Sequence, residues 1–501
     1  MDKSDCLALF KEGKTAWNRW AHGMLEKRKK LQENGAWSHE GPNTNAGLRS
    51  DPRNYGGNAE TRAWIVESAV MFDHEFEDIA HFDECIFPSI VCFEKSRFLC
   101  DASFRSAVFS NYAHFSRAVF LGMTSFEGAT FLSDVEFERA RFHREANFEG
   151  AQFGASTEFI DVEFRGKVDF SEAKFTGIGS FSRTSCGGLA YFSGSRFREE
   201  ARFLETVFRG KAFFNGIQVT GLGNFCKASF AQSVSFFDAQ FNGYSQFDDT
   251  KFEGSAYFQE AVFKLCPAFN RAQFLGNVEF ERAKFFELPN IALTKFSVAP
   301  NFSNTVFPDA SIGDPTSILA ENDWRELRLL AEQRQDKDCA ESFGVNEMIS
   351  RRLSWAKPFD SSFVRYWFGI CYWAISDFGR SVVRPILWWL AMSFGSALFY
   401  LSRYSVYAKL AGKKEWGCVN GQGEPLLAAL YFSVSKGLVF TGIGDSEFIN
   451  HAYACLFGTI GGKPLIPYEV GFFVLGQTVV SAILICMLVL AVRNLAGVRR
   501  K

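Results

Sequence analysis

The chain has 501 residues, of which 47% are hydrophobic and 16% aromatic, and its formal net charge is −2. This length allows several domains, and the near-zero charge argues against a polyelectrolyte partner for the chain as a whole. The 12 cysteines form no Cys-x-x-Cys pair, so we expect most of them to be reduced and buried in a cytosolic domain rather than cross-linked in a secreted one.

The N-terminal segment, residues 1–75, is predicted to close one end of the repeat domain that follows it. Residues 6–32 have the amphipathic pattern of a helix, and residues 34–57 are rich in Gly, Asn, Pro and Ser, which indicates a loop or linker. A helix over an open strand edge protects that edge from pairing; the alternative is a helix that binds a partner. The start Met1-Asp2-Lys3-Ser4-Asp5 lacks a basic segment followed by an apolar run, so no cleaved signal peptide is expected.

A phenylalanine repeat dominates the middle of the chain. From Phe82 to Phe307, phenylalanine recurs at alternating steps of five and six residues, and of 42 such slots only Cys186, Val219 and Ile291 are not Phe. The residue two places before each slot is small almost throughout, with a few Pro, and the residues between are polar or charged. This period does not fit a helix. It predicts a coil of short strands and turns, in which identical slots stack in columns.

The units Ala107-Val108-Phe109 and Ala118-Val119-Phe120 resemble those of the pentapeptide-repeat family, in which a small residue and a spacer precede a central Leu or Phe. The resemblance implies a right-handed quadrilateral β-solenoid, which we place at residues 76–310. Two units of five and two of six residues make 22 residues per coil. We therefore expect about ten coils and a rod on the order of 50 Å long.

The surface charge of this solenoid bears on its partners. Between Phe82 and Phe307 there are 26 acidic and 23 basic residues. Some pentapeptide-repeat proteins are proposed to mimic DNA, which requires a dense run of negative charge. The balanced charge here argues against such mimicry and predicts no nucleic-acid partner, leaving an unknown cytosolic protein as the expected partner of the solenoid.

Two helical segments are predicted after the register stops at Phe307. Residues 321–354 have a helical apolar pattern, with Asp336-Lys337-Asp338 or Gly344 as points where it can divide. We assign residues 311–358 as a cap for the far end of the solenoid and a linker. Residues 359–380 are strongly aromatic and flanked by arginines, which predicts a helix in the bilayer interface; a buried soluble helix is the alternative.

Two transmembrane helices are predicted at residues 381–403 and 468–492, since each apolar segment is long enough to cross about 30 Å of hydrocarbon. The tail at residues 493–501 is basic, and arginines also precede the first span. The positive-inside rule therefore places both termini in the cytosol of a multi-pass protein of the bacterial inner membrane. Lysines in the intervening loop at residues 404–467 weaken this asymmetry.

A third apolar segment, residues 425–445, lies between the two spans. It is predicted to be helical up to about Lys436, too short to cross a bilayer, and then Gly-rich, which is the layout of a re-entrant loop. Ala429-Leu430-Tyr431-Phe432-Ser433 resembles the pore helix of two-span potassium channels, and the next segment resembles their filter. The resemblance implies pore-helix residues Tyr431, Ser433, Ser435 and Lys436, and filter residues Thr441, Gly442, Ile443, Gly444 and Asp445.

This segment departs from the potassium-channel pattern in two ways. Its filter-like loop is one residue shorter, and Lys436 adds a positive charge. Weak cation or anion permeation is therefore as consistent with the sequence as potassium selectivity. A third reading is an interfacial helix and turn that conduct nothing.

Further candidates lie around this segment. Gln477, Thr478 and Ser481 on the second span are candidate pore-lining residues, because polar groups in apolar helices usually face other helices. Cys418 and Cys455 are the cysteines of the predicted outer loop and could form a disulfide in an oxidising periplasm.

No enzymatic motif accompanies these features. The seven histidines are dispersed, and no metalloprotease, P-loop, nucleophile-elbow or dinucleotide-binding pattern occurs. We therefore expect no enzyme, no catalytic residue, no bound metal and no cofactor beyond a permeating monovalent ion. The sequence predicts an oligomeric ion channel or channel-like pore in the lipid bilayer, a homotetramer by resemblance, with a cytosolic solenoid for sensing or assembly. The alternative is a non-conducting, membrane-anchored scaffold that binds a protein.

Overall fold

The computed structural model describes residues 3–38, 58–308, 318–354, 363–410, 418–419, 424–438, 447–460, 463–464 and 467–495. The chain divides into two units, Met1–Glu347 and Met348–Lys501. The filter-like residues Thr441, Gly442, Ile443, Gly444 and Asp445 lie outside the described residues, as does most of the basic tail.

Strands of two residues, joined by turns, build four parallel sheets in the first unit. The first sheet contains Val70–Met71, Val91–Cys92, Ala113–His114, Val135–Glu136, Thr157–Glu158, Gly179–Ser180, Ala201–Arg202, Gly223–Asn224, Ser245–Gln246 and Pro267–Ala268. The second contains Glu75–Phe76, Arg97–Phe98, Val119–Phe120, Arg141–Phe142, Glu163–Phe164, Ser185–Cys186, Val207–Phe208, Ser229–Phe230, Lys251–Phe252, Gln273–Phe274 and Lys295–Phe296.

The other two sheets have ten strands each. The third contains Ala80–His81, Ala102–Ser103, Thr124–Ser125, Ala146–Asn147, Val168–Asp169, Ala190–Tyr191, Ala212–Phe213, Val234–Ser235, Ala256–Tyr257 and Val278–Glu279. The fourth contains Ile86–Phe87, Val108–Phe109, Thr130–Phe131, Gln152–Phe153, Lys174–Phe175, Arg196–Phe197, Gln218–Val219, Gln240–Phe241, Val262–Phe263 and Lys284–Phe285.

The pairing of these strands confirms the predicted β-solenoid of about ten turns. Phe120, for example, pairs with Phe98 on one side and Phe142 on the other. Each partner is the second neighbour of Phe120 along its own phenylalanine ladder. One coil therefore consists of two units of five and two of six, as the alternating steps predicted. The hand of the coil and the shape of its cross-section stay predictions.

Stacked phenylalanine rings fill the interior. Phe98 lies 4.6 Å from Phe120 between ring centroids at an interplanar angle of 5°, and Phe104 lies 4.7 Å from Phe126 at 3°. These rings are fully buried, and each is expected to contribute about 1.5–3 kcal/mol by leaving water. The column extends two slots upstream of the predicted first slot at Phe82, because Phe76 stacks on Phe98 and Phe72 on Phe93. The first strand accordingly begins at Val70 rather than near residue 76.

The five-residue steps use a left-handed backbone position two residues after the first Phe. Lys95, Ser106 and Arg117 have φ of 59°, 53° and 59°, and Gly128 has 64° in the equivalent position. The amide of Ala118 donates to the carbonyl of Phe115 at 3.1 Å, which closes the turn. A positive φ at this position is the requirement of a type II turn. The repeat tolerates charged residues there although glycine would be less strained.

Three N-terminal helices lie at the beginning of the solenoid: α1 (Lys3–Lys11), α2 (Lys14–Glu33) and α3 (Ala59–Ser68). Trp17 is buried, stacks on Phe72 and donates its indole N–H to the carbonyl of Ile86 at 2.9 Å. Asn18 donates to the carbonyl of Glu84 and accepts from the amide of Ile86. These bonds satisfy backbone groups at the open edge of the first coil, where unpaired groups would invite another strand.

Two helices follow the last coil: α4 (Ile318–Gln333) and α5 (Lys337–Ser354). The break between them lies beside the Asp336-Lys337-Asp338 position that the sequence offered, and Gly344 lies inside α5. Phe343 packs edge-on against Phe302 and Phe307, and Trp324 of α4 is buried beside them. The aromatic column thus ends against helices instead of water.

The second unit is helical. Its helices are α6 (Phe363–Ser376), α7 (Val383–Leu410), α8 (Pro425–Gly437), α9 (Glu447–Phe457) and α10 (Tyr468–Leu495), and Thr459–Ile460 pairs with Lys463–Pro464. Within them, Val383–Ala408 and Tyr468–Arg493 are long and apolar enough to cross a membrane. In the most apolar 18-residue stretch of each helix, only 28% and 17% of the stretch is buried. Most of the surface of these helices therefore faces outward. Helix α7 continues past the predicted end at residue 403 to Leu410.

Candidate functional site

The short helix α8 packs against both long apolar helices through hydrogen bonds of Ser433. The Ser433 hydroxyl donates to the carbonyl of Ser393 on α7 at 2.6 Å. The Gln477 side chain on α10 donates from Nε2 to the Ser433 carbonyl at 2.8 Å and to Ser433 Oγ at 3.0 Å. Tyr400 of α7 donates its hydroxyl to Gln477 Oε1 at 2.6 Å. One buried network therefore joins three helices.

The sequence of α8 explains why it fits between them. Pro425 occupies the first turn, where its missing N–H is not needed. Ala429, Phe432 and Ser433 form the buried face, and the small side chains allow close helix approach. At the other end, the indole N–H of Trp389 donates to the carbonyl of Gly437 at 3.2 Å. A Cβ atom on Gly437 would lie 3.0 Å from Trp389 Nε1, so this contact favours glycine.

The network lies well inside both long helices. Ser393 is the eleventh residue of α7, and Gln477 is the tenth residue of α10. At about 1.5 Å per residue, both positions are roughly 15 Å from the start of their helix. Ser433 therefore contacts each helix far from its end.

An aromatic cluster and a disulfide surround α8 on the other side. Phe432 packs edge-on against Tyr400 at 4.8 Å and Tyr453 of α9 at 4.4 Å between ring centroids. Cys418 and Cys455 form a disulfide, with their Cα atoms 4.3 Å apart, and the amide of Val419 donates to the carbonyl of Cys455. The chain just before α8 is thereby tied to α9.

The structure distributes the predicted pore-helix residues over different environments. Ser433 is fully buried in the network, while Ser435 is buried and donates its hydroxyl to the carbonyl of Phe432 within α8. Tyr431 is exposed, and Lys436 is half-buried with its Nζ 5.8 Å from the centroid of the Phe432 ring. Ser433 is thus a residue of this set whose hydrogen bonds reach both α7 and α10.

The three predicted pore-lining residues also lie in different environments. Gln477 is 5% exposed and bonded as above, and Ser481 is fully buried with no hydrogen bond to its Oγ among the described residues. Thr478 is half-buried and donates to the carbonyl of Val474 within its own helix. The side-chain amide of Gln477 therefore has hydrogen-bond partners within its own chain. That these residues line a pore stays a prediction.

Sequence reasoning missed Ser393 and Tyr400, which complete the network. A signal was present, because Ser393, Ser396 and Tyr400 occur at i, i+3 and i+7 on an otherwise apolar helix, and all three are buried. Polar groups at that spacing share one helix face. Glu469, the one charge of the second predicted span, pairs with Arg403 at 3.0 Å near the beginning of α10.

The outside of the solenoid has a different character. Arginine and carboxylate side chains at equivalent positions of neighbouring coils pair with each other, as Arg183 does with Asp161 at 2.7 Å and Arg271 with Asp249 at 2.7 Å. The Arg183 guanidinium lowers the pKa of Asp161, chiefly through their hydrogen bonds. Exposed pairs of this kind contribute little stability individually, and they leave alternating positive and negative charge on the solenoid surface.

Comparison with known proteins agrees with the solenoid. A family model described as "Pentapeptide repeats (9 copies)" matches residues 82–130, 104–152, 115–163, 159–207 and 236–284. The chain therefore carries pentapeptide repeats, which form its β-solenoid. Comparison with curated proteins gave no match, and comparison with solved structures gave none either.

Proposed function

We propose that this chain is a subunit of an oligomeric membrane pore in the bacterial inner membrane, which carries a pentapeptide-repeat solenoid on the cytosolic side. In this proposal α7 and α10 cross the bilayer and α8 is a re-entrant pore helix. A permeating monovalent ion would be the transported species. The solenoid would sense a cytosolic protein partner or set the geometry of the oligomer.

The observation that carries the proposal is the position of Ser433. If α7 and α10 span about 30 Å of hydrocarbon, their contacts with Ser433, roughly 15 Å from the start of each helix, put α8 near the middle of the bilayer. The chain must then continue to α9 through residues 438–446, whose sequence with Gly442 and Gly444 predicts non-helical backbone. Non-helical backbone at that depth is tolerated where protein or a water-filled cavity surrounds it. Neighbouring subunits around a pore would supply both.

Oligomerisation follows from the small number of spans. Two crossing helices and one short helix cannot enclose a pore alone. The outward faces of α7 and α10 are apolar, with Phe394 59%, Leu398 51% and Phe472 71% exposed, so they are available to lipid and to other subunits. A tetramer is the expected state by resemblance to two-span channels.

The cysteines support the proposed orientation. The disulfide of Cys418 and Cys455 requires an oxidising compartment, whereas the other ten cysteines are free. An outer loop in the periplasm and a solenoid in the cytosol satisfy both conditions. The basic residues after α10 agree with a cytosolic C-terminus.

The direct test is recording from purified full-length protein in planar bilayers, after its oligomeric state in lipid has been measured. We expect conductance, and Lys436→Gln should raise the permeability of cations relative to anions because it removes a positive charge five residues before the filter-like segment in the sequence. Lys463→Gln is the matched control, since Lys463 is an exposed lysine of the hairpin outside α8. If oligomers of confirmed size showed no conductance over a range of salts, the pore would be refuted.

A membrane-anchored scaffold is the second candidate, and the observation in its favour is that Gln477 and Ser433 satisfy each other within one chain. In that case the long helices would only anchor and assemble the solenoid as a binding surface. Substitution of Gly442 and Gly444 separates the two candidates. Altered ion flux supports the pore, and unchanged flux with intact partner binding supports the scaffold.

A further inference from the structure

A cluster of metal-ligating side chains lies on the first sheet near the start of the solenoid. Cys92, His114 and Glu136 occupy the same position in three consecutive strands, since Cys92 pairs with His114 and His114 with Glu136. In-register parallel strands place such side chains about 4.8 Å apart. Glu94 follows Cys92 by two positions and reaches the same place.

The distances within this cluster suit a metal ion. Cys92 Sγ lies 3.7 Å from His114 Nδ1, and Glu94 Oε2 lies 4.0 Å from the same nitrogen. The ligand atoms of these three residues all fall within 4.8 Å of one another, which among the described residues makes them the candidate group for metal binding. Tetrahedral zinc, with bonds of about 2.0–2.3 Å, separates its ligand atoms by about 3.3–3.8 Å. Small side-chain rotations would close the remaining gap.

Two of the ligand side chains are buried, and the third directs a carboxylate oxygen toward them. Cys92 and His114 are 6% and 8% exposed. Lys95 pairs with Glu94 through Oε1 at 2.9 Å, while Oε2 of that carboxylate is the atom that faces His114. A cation can thus be held without breaking the ion pair.

We propose that Cys92, Glu94 and His114 bind one zinc ion on the outside of the solenoid, with water in the fourth position. A thiolate, an imidazole and a carboxylate are the ligand types that zinc accepts, and three protein ligands leave one position open. Binding displaces the thiol proton of Cys92 to solvent as the sulfur–zinc bond forms. The ion would tie two neighbouring coils together near the N-terminal cap.

Glu136 is a positioning residue in this proposal. Its Oε2 lies 3.6 Å from His114 Nε2, the ring nitrogen that does not face Cys92. A carboxylate beside the second nitrogen fixes the tautomer and orientation of a metal-binding histidine, and its loss typically weakens metal affinity about 10–100-fold. The site was not apparent from the sequence, because Cys92 and His114 are a whole coil apart along the chain and only the solenoid register brings them together.

The test uses purified full-length protein that has been stripped with a chelator, dialysed against zinc and analysed for bound metal. We expect about one zinc per chain in the wild type, loss of that equivalent in His114→Ala and Cys92→Ser, and affinity reduced about 10–100-fold in Glu136→Gln. Cobalt(II) should give thiolate-to-metal charge-transfer absorption that disappears in Cys92→Ser. Zinc should also raise the unfolding temperature of the wild type, because a ligand that binds only the folded state stabilises it.

Two control variants keep the test specific. His143→Ala removes a histidine whose Nδ1 lies 3.2 Å from the Arg165 guanidinium, and Cys100→Ser removes an exposed thiol; both should retain the zinc. Circular dichroism of each variant establishes that the fold is intact. Zinc content that is the same in folded His114→Ala as in the wild type, or that is absent from the wild type, overturns the proposal.

Discussion

The Gln477 network provides the sharpest test of how α8 is held. Gln477→Leu keeps a side chain of similar size and removes three hydrogen bonds, two to Ser433 and one from Tyr400. It also leaves the buried Tyr400 hydroxyl without its acceptor. We expect α8 and α10 to lose their polar connection while the apolar packing remains.

The magnitude follows from the number of bonds. Side-chain hydrogen bonds between membrane helices contribute about 0.6 kcal/mol each on average and up to about 1.7 kcal/mol. Three of them give a destabilisation of about 2 kcal/mol for Gln477→Leu. The neighbouring Thr478→Val is the matched control, since Thr478 bonds only to the carbonyl of Val474 in its own helix, and we expect a change below about 0.5 kcal/mol.

The assay is unfolding of the full-length protein in detergent micelles by increasing sodium dodecyl sulfate, followed by loss of helical circular dichroism. Ser433→Ala should cost less in the Gln477→Leu background than in the wild type, because the two residues share a bond and their effects are then non-additive. Equal destabilisation by Gln477→Leu and Thr478→Val, with additive effects of Ser433→Ala, would show that α8 does not lie between the two long helices.

Three further predictions concern the solenoid unit. Phe170→Ala should cost about 3–5 kcal/mol in chemical unfolding, since Phe170 is fully buried between Phe148 and Phe192, whereas Phe237→Ala, at a site that is 45% exposed, should cost far less. Asn18→Ala should lower stability by about 1 kcal/mol, because the edge groups of the first coil lose a partner on each side. Asp323→Asn should raise the unfolding temperature at pH 7 but not at pH 4. Burial raises the pKa of Asp323 to about 6, so the wild type loses stability as pH rises from about 4 through 6; equal effects at both pH values would contradict this.

Much of the solenoid could be predicted because its period is evident in the sequence. Within each ladder a Phe recurs every eleven residues of the chain, and this spacing fixes which strands of successive coils pair. The same pairing register applies to all four sheets. The first half of the first coil was missed because Phe72 and Phe76 are only four positions apart, which breaks the alternation of five and six. The left-handed turn positions were also missed, since they hold Lys, Arg or Glu more often than Gly, and only the backbone shows that Lys95 and Arg117 share a conformation.

The candidate site was less predictable, because its contacts join segments that are far apart in the chain. Ser433 and Gln477 were each selected for chemical reasons, but their bond joins two separate helices and no local pattern encodes it. The partner Ser393 looked like an ordinary small residue of an apolar helix. Tertiary packing decides which polar groups meet. The second unit has no internal repeat, so its sequence does not indicate which helices pair or in what register.

The distribution of polarity in the second unit argues for a membrane rather than a soluble helical core. Ser433 and Gln477 are buried and hydrogen-bonded to each other, whereas large apolar side chains such as Phe472, at 71% exposed, face outward. In water this arrangement would leave a large exposed apolar surface, which soluble monomers rarely present. In lipid it is the expected one, because polar groups must be satisfied internally and apolar groups can face the hydrocarbon. Helices in lipid gain no hydrophobic stabilisation from burying an apolar α8, so they must hold it by packing and polar contacts. The hydrogen bonds of Ser433 to α7 and α10 are contacts of this kind.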